Sequence, residues 1–353
     1  MRAQDQAMTI VRESSPTIAI FEAPGAGAHG GQGTVSLGIN TAGTVVGYYI
    51  APTNTAHGFL RSASGAFTTF SAPGAGTGAD QGTSAQAINS AGTISGIYID
   101  GTGVYHCFVR SSAGKFSTIN ASGAGTGAGQ GTGGCYAINA AGSIAGNYID
   151  SNGAYHGFVR APNGAITEFD APDGGAGALQ GTIPYGINAS GTIAGLYLDS
   201  TSAIHGFSRS ASGTLTEFDV PGVDGTYGNA INTAGAIAGN SWIAGQGASG
   251  MLRSASGTYT TFNVKGAGTG NNQGTVGQGI NDDGTIAGYF VDANSVYHGF
   301  SRSTGGTITK FNATGAGTGA GESTIPWAIN ASGEISGYLV DATGVAHGFV
   351  YTP

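Results

Sequence analysis

The stretch Ile138-Asn139-Ala140-Ala141-Gly142-Ser143-Ile144-Ala145-Gly146-Asn147-Tyr148-Ile149-Asp150, followed by His156-Gly157-Phe158-Val159-Arg160, decides the fold because the chain repeats it. Ile-Asn opens such a unit at Ile39, Ile88, Ile138, Ile187, Ile231, Ile280 and Ile329, at spacings of 49, 50, 49, 44, 49 and 49 residues. Within a unit, apolar residues alternate with small or polar ones, as in Thr93-Ile94-Ser95-Gly96-Ile97-Tyr98-Ile99 and Thr214-Leu215-Thr216-Glu217-Phe218. That period of two is the signature of a strand. Three residues past each Asn stands a glycine (Gly43, Gly92, Gly142, Gly191, Gly235, Gly284, Gly333). Asn initiates turns through its side chain and Gly accepts the left-handed position, so the pair predicts a tight hairpin. A second series, Gly65, Gly114, Gly164, Gly213, Gly257 and Gly306, predicts another hairpin after the His-Gly-Phe-x-Arg segment.

Four short antiparallel strands per unit of about 45 to 50 residues, repeated seven times, predict an all-β chain folded as a seven-bladed β-propeller. The last unit ends at His347-Gly348-Phe349-Val350-Tyr351 without a fourth strand, and Thr17-Ile18-Ala19-Ile20-Phe21 matches the missing piece. The expectation is a ring closed by the N-terminal strand joining the last blade, with residues 16–353 as one propeller and residues 1–15 as a loose tail.

Composition excludes the main competitors. There are 68 Gly in 353 residues, yet they do not fall at every third position, which excludes collagen. With 15 Tyr and 15 Phe the chain has the apolar material to fold. Gly costs about 1 kcal/mol relative to Ala inside a helix, which excludes a helical bundle. A net charge of −8, with 11 Lys+Arg scattered singly, offers no basic stripe for nucleic acid or an anionic membrane. No apolar run approaches the ~18 residues of a membrane span, and Met1 to Met8 lacks an apolar signal core, so neither a membrane association nor a signal peptide is expected. Cys107 and Cys135 are too few for a disulfide framework or a zinc site and are expected to be unpaired packing residues.

The tripeptide His-Gly-Phe at His57, His156, His205, His298 and His347, preceded by Gly-x-Ile-x-Gly-x-Tyr and followed by Phe-x-x-Pro-Gly-Ala segments, resembles the bacterial extracellular HAF repeats. The resemblance spans nearly all of the chain beyond residue 15. It implies a secreted repeat protein, extracellular or periplasmic, and carries no definite activity.

Six histidines share one repeat position: His57, His106, His156, His205, His298 and His347. Equivalent positions on different blades lie around a ring and cannot converge, so these are expected to be structural. An Asp six residues earlier (Asp100, Asp150, Asp199, Asp292, Asp341) is the expected partner in five units. Gly47, Gly96, Gly146 and their equivalents inside second strands should admit a neighbour at close range. Arg61, Arg110, Arg160, Arg209, Arg253 and Arg302 are expected at the surface or in inter-blade pairs. Glycine strings such as Gly123 to Gly129 resemble phosphate loops, but no helix follows them.

A pseudo-symmetric ring places specificity where its repeats disagree. The residue before each Ala/Gly-Ile-Asn is Leu37, Gln86, Tyr136, Tyr185, Asn229, Gln278 or Trp327. Tyr136, Tyr185, Trp327, Gln86 and Gln278 are the candidate ligand-binding residues, because aromatic faces and amides suit a sugar or another polar ring. The shortened fifth unit adds Tyr227 and Trp242, with Asp224 close in sequence. Glu322 stands where Gln32, Gln81, Gln130, Gln180 and Gln273 are neutral. The expected function is a monomeric module binding a glycan or small polar ligand at the loop-rich face and channel mouth. An alternative is a lyase or hydrolase with Glu322 as base, and a third is a structural scaffold. No metal site and no cofactor is predicted.

Overall fold

The computed structural model describes residues 15–353, so most of the expected tail, residues 1–14, lies outside the described residues. The described chain is all β, with 28 strands and no helix. Strands form where the sequence alternates, and they stop at the predicted glycines: Gly142 has φ 87° after Asn139, and Gly164 has φ 96° in the second hairpin of the same unit.

In the third group Gly131–Ile138, Ile144–Ile149, Tyr155–Arg160 and Ile166–Phe169 pair in succession, each antiparallel to the next. The same meander occupies residues 33–70, 82–119, 181–218, 225–262 and 274–311. The last group, Ser323–Ile329, Ile335–Val340 and Ala346–Thr352, takes its fourth strand from Thr17–Phe21, which pairs with Ala346–Thr352 from Thr17↔Thr352 to Phe21↔Gly348. Adjacent groups touch by one parallel bridge between a third strand and the next first strand, as in Tyr105↔Gly131 and Tyr155↔Gly181. Gly33↔Ala346 is the same bridge between the last group and the first. This is β-propeller architecture.

The apolar core lies between groups. Phe59, Phe108, Phe158, Phe207, Phe300 and Phe349 of the repeated third strand are fully buried, with Met251 in the fifth group. Each such side chain contributes about 1.5 to 3 kcal/mol. Val46 of the first group packs against Ile88, Ile94 and Phe108 of the second, and Ala287 of the sixth against Leu339 and Phe349 of the last. The repeated arginines reach across the same boundaries: Arg61, Arg110, Arg209, Arg253 and Arg302 cover Phe21, Phe70, Phe169, Phe218 and Phe262 of the preceding group at 4.7 to 4.8 Å. These are cation–π contacts between groups. The second-strand glycines do admit close neighbours, since a Cβ on Gly47 would strike the Val35 carbonyl and one on Gly96 the Ser84 carbonyl and the Phe108 ring.

Polar groups bind the groups together as well. The Asn of each Ile-Asn donates its Nδ2 to the backbone oxygen of the next one: Asn40 to Asn89, then Asn139, Asn188, Asn232, Asn281, Asn330 and back to Asn40, at 3.0 to 3.3 Å. Its Oδ1 meanwhile accepts from the hairpin backbone, as Asn139 does from Ser143 N. One side chain therefore closes a turn and ties two groups together.

One expectation fails here. Cys107 and Cys135 are not unpaired packing residues; they form a disulfide with a Cα–Cα separation of 5.9 Å, joining the third strand of the second group to the first strand of the third. The cause is that the third strand of one group runs beside the first strand of the next, so residues 28 apart in sequence become neighbours.

Candidate functional site

Leu37, Gln86, Tyr136, Tyr185, Asn229, Gln278 and Trp327 all line one central cavity of about 730 Å³. The cause is local and the same in each group. The first strand loses register against the second at this residue: between Ser36 and Gly38, Ala85 and Ala87, Gly134 and Ala137, Pro184 and Gly186, Gly228 and Ala230, Gly277 and Gly279, Pro326 and Ala328. The bulged residue has no partner across the ladder, and a bulge re-aims its side chain. Here it aims into the cavity. The repeats can differ at this position because no cross-strand pairing constrains it.

These bulges sit at the ends of the first strands beside the short Asn-x-x-Gly hairpins, whereas the long connecting loops join the opposite ends, near Gly33 or Gly181. The expected position at the loop-rich face is therefore corrected: the cavity lies toward the short-hairpin end. Long loops mark where a chain can vary in length, but here the side-chain variation sits on the strands.

The wall is aromatic, aliphatic and amide. Tyr136 and Tyr185 lie 5.2 Å apart at 35°. Trp327, 40% exposed, stands farther round the wall. Gln86 Oε1 accepts from Cys135 N at 3.2 Å, and Asn229 Nδ2 donates to Gly277 O at 2.9 Å and Asn240 Oδ1 at 3.2 Å. Among the described residues no Asp, Glu, Lys, Arg or His lines the cavity. Burial, with the neighbouring tyrosines, pushes the Tyr185 phenol up to about 12 and raises Tyr136 further, so both stay neutral donors across the physiological range.

The remaining candidates are placed elsewhere, with one exception. Tyr227 joins the wall, but Trp242 does not; its buried indole nitrogen lies over Gly225. Glu322 is in a connecting loop, where it accepts from Gly319 N as Gln81 and Gln130 accept from Gly78 N and Gly127 N. It keeps the glutamine's role as loop acceptor and lies away from the cavity, which leaves a base role there without support.

The histidines are half-buried on third strands. Five are stacked on a second-strand ring: His57 on Tyr49, His106 on Tyr98, His156 on Tyr148, His205 on Tyr197 and His298 on Phe290, with centroids 4.7 to 5.2 Å apart. In five of the six, His57 excepted, Nε2 faces the expected Asp, as at His106–Asp100 (3.1 Å) and His347–Asp341 (3.1 Å). Their Nδ1 meets a second partner that sequence reading missed, fourteen residues later: Ser71, Asn120, Asp170, Asp219 or Asn312. His347 finds Glu22 of the N-terminal strand in the same role. Burial lowers the pKa of His205 and His347, but their carboxylate partners outweigh it and leave both raised. Among the described residues no group of three or more His, Cys, Asp or Glu side chains is placed to hold a metal ion.

No protein-family model and no curated protein matches the chain. Its strand arrangement is nonetheless similar to solved structures. A prolyl endopeptidase matches over 95% of this chain and 50% of its own at 8% identity and a TM-score of 0.54. A puromycin hydrolase matches over 95% and 53% at 12% identity and 0.51. The chain thus spans about half the length of these enzymes. A lectin from Burkholderia pseudomallei matches over 90% and 96% at 10% identity and a TM-score of 0.46. At these identities the likeness concerns the fold alone.

Proposed function

We propose that the chain is a closed seven-bladed propeller whose central cavity binds a neutral glycan. The composition of the wall carries this reading: it combines aromatic faces from Tyr136, Tyr185 and Trp327 with the amides of Gln86, Asn229 and Gln278, with no charged side chain among them. Aromatic faces stack on the C–H faces of a sugar ring, and amides satisfy its hydroxyls. A net charge of −8 disfavours anionic ligands over the whole surface. A lyase or hydrolase needs a proton acceptor within reach of its substrate, and with Glu322 held in a connecting loop the wall offers only neutral phenols. Binding is therefore the preferred reading over catalysis. We also retain the kinship with HAF repeats as part of the proposal, since the repeated His, Gly and Phe each hold a structural place.

Glycan-array screening with neutral and acidic sugars, followed by calorimetry, tests the function. Neutral sugars are expected to bind, and Trp327→Ala or Tyr185→Ala to weaken them by about 1 to 3 kcal/mol with little change in unfolding temperature. Full binding by both variants would remove the cavity as the site. Preference for sialylated or uronic sugars would remove the neutral ligand.

A further inference from the structure

The cavity is not a symmetric cup. At the level of the bulges all seven groups contribute, but deeper in the channel, among the described residues, only Tyr227, Asn240, Val276 and Tyr289 reach the wall. These four are two cross-strand pairs on neighbouring groups, Tyr227 opposite Asn240 in the fifth and Val276 opposite Tyr289 in the sixth. The equivalent pairs Val35 and Tyr48, Ile183 and Leu196, and Ile325 and Tyr338 do not bound it. The bulge residues above this deep end are Asn229 and Gln278, while Tyr136, Tyr185 and Trp327 occupy other sectors of the rim.

The deep end carries unused hydrogen-bonding capacity. Asn240 Oδ1 accepts from Asn229, and its Nδ2 makes no hydrogen bond among the described residues. The Tyr289 ring is held against Tyr297 at 5.4 Å, and burial, with the neighbouring tyrosines, keeps its phenol protonated. Two phenols and an amide at the bottom of a charge-free cavity suit alcohol hydroxyls. Among the described residues no charged side chain stands there to pair with an ion.

We infer that the cavity holds two subsites, an aromatic one at the bulge level and a deeper polar one formed by Tyr227, Asn240 and Tyr289, and that its ligand is an elongated neutral oligosaccharide inserted end-on between the fifth and sixth groups. The inference rests on the glycan reading of the cavity and adds to it a minimum length of two rings. A single sugar fills only one subsite, so chain length becomes the readout.

Calorimetry with glucose, then maltose and maltotriose, and cellobiose and cellotriose, tests it. In at least one series the disaccharide is expected to bind tenfold or more tightly than glucose. Tyr289→Phe, which keeps the ring against Tyr297, and Asn240→Ala should each remove most of that gain. Trp327→Ala should weaken every sugar in the series. Equal affinity for one ring and two, or a disaccharide advantage untouched by Tyr289→Phe, overturns the two-subsite arrangement and leaves the glycan reading standing. Failure of every glycan, on the array and in solution, overturns the glycan reading itself.

Discussion

The fourth-strand position of Lys310 varies together with the turn backbone across from it. It is Thr69, Thr118, Glu168, Glu217, Thr261 or Ile20 in the other groups, each opposite the same third-strand position. Where it is Glu, it faces backbone N–H groups of a connecting turn: Glu168 accepts from Ser122 and Gly123, and Glu217 from Asp173. Where it is Lys310, the ammonium donates to the Lys265 carbonyl at 3.1 Å. The turn differs accordingly. Gly266 has φ 106°, as Gly25, Gly74 and Gly315 are also positive, but Gly123 and Asp173 are not. Types I and II turns differ by rotation of the central peptide, which exchanges its N–H for its carbonyl. A Cβ on Gly266 would meet only Phe290, at 3.7 Å, so the cost of a side chain there is conformational. Gly266→Ala should therefore cost about 1 to 2 kcal/mol in the parent, and Lys310→Glu should rotate the peptide and cancel most of that cost. Denaturant unfolding of the four proteins in this cycle measures the coupling, and strict additivity would show that the turn does not rotate. The repeats disclosed the variable residue at the cavity because it interrupts a pattern, but its bulge was hidden, since a bulge shifts register without changing composition.

At the scale of strands, the disulfide is a set of compensating substitutions. In six groups the residue between His, or its Ser249 equivalent, and the buried Phe or Met is Gly, packed under a fourth-strand Phe; a Cβ on Gly58, Gly206 or Gly348 would penetrate Phe70, Phe218 or Phe21. Cys107 has a side chain there, and its cross-strand partner is Ile119 in place of Phe. The strand bearing Cys135 has 8 residues where the other first strands have 7. Three departures in two neighbouring groups thus serve one covalent bond. Counting cysteines missed it because the meaningful signal was the partner change at Ile119. Cross-linking residues 28 apart should stabilise the chain by about 3 to 4 kcal/mol through unfolded-state entropy. Reduction, or Cys107→Ala with Cys135→Ala, is expected to lower the unfolding temperature, and thiol titration of the unfolded, unreduced protein should find no free thiol. In the parent Ile119→Phe should be strongly destabilising, whereas Cys107→Gly with Ile119→Phe should recover most of that loss. Equal stability of the reduced and oxidised chains would refute the staple.

For the whole molecule the question is what joins the last group to the first. The repeat spacing made the N-terminal strand legible as the missing fourth strand, and it pairs with Ala346–Thr352 over its full length. Its energetics were less legible. Ile20 is 40% exposed, because Thr17–Phe21 is an outer strand with one open face. The seam is held by Phe21 and Ala23, both buried in the cluster with Ile39, Val45 and Phe59, and by the Arg61 guanidinium over the Phe21 ring at 4.7 Å. Phe21 thus belongs to the last group by hydrogen bonding and to the first by packing. Deleting residues 1–24 removes about 1.5 to 3 kcal/mol for Phe21 alone, uncovers the edge of Ala346–Thr352 and leaves Arg61 without its ring. The unfolding temperature should fall sharply. A peptide of residues 15–27, added to the truncated protein, should restore it in a saturable way, because a ligand that binds only the folded state raises stability with its concentration. A peptide carrying Phe21→Ala should restore little, while one carrying Ile20→Thr, altered on the exposed face, should restore nearly all. If the truncated protein unfolds at the temperature of the full chain, the ring does not depend on its stitched strand, and the closure proposed for the propeller is wrong.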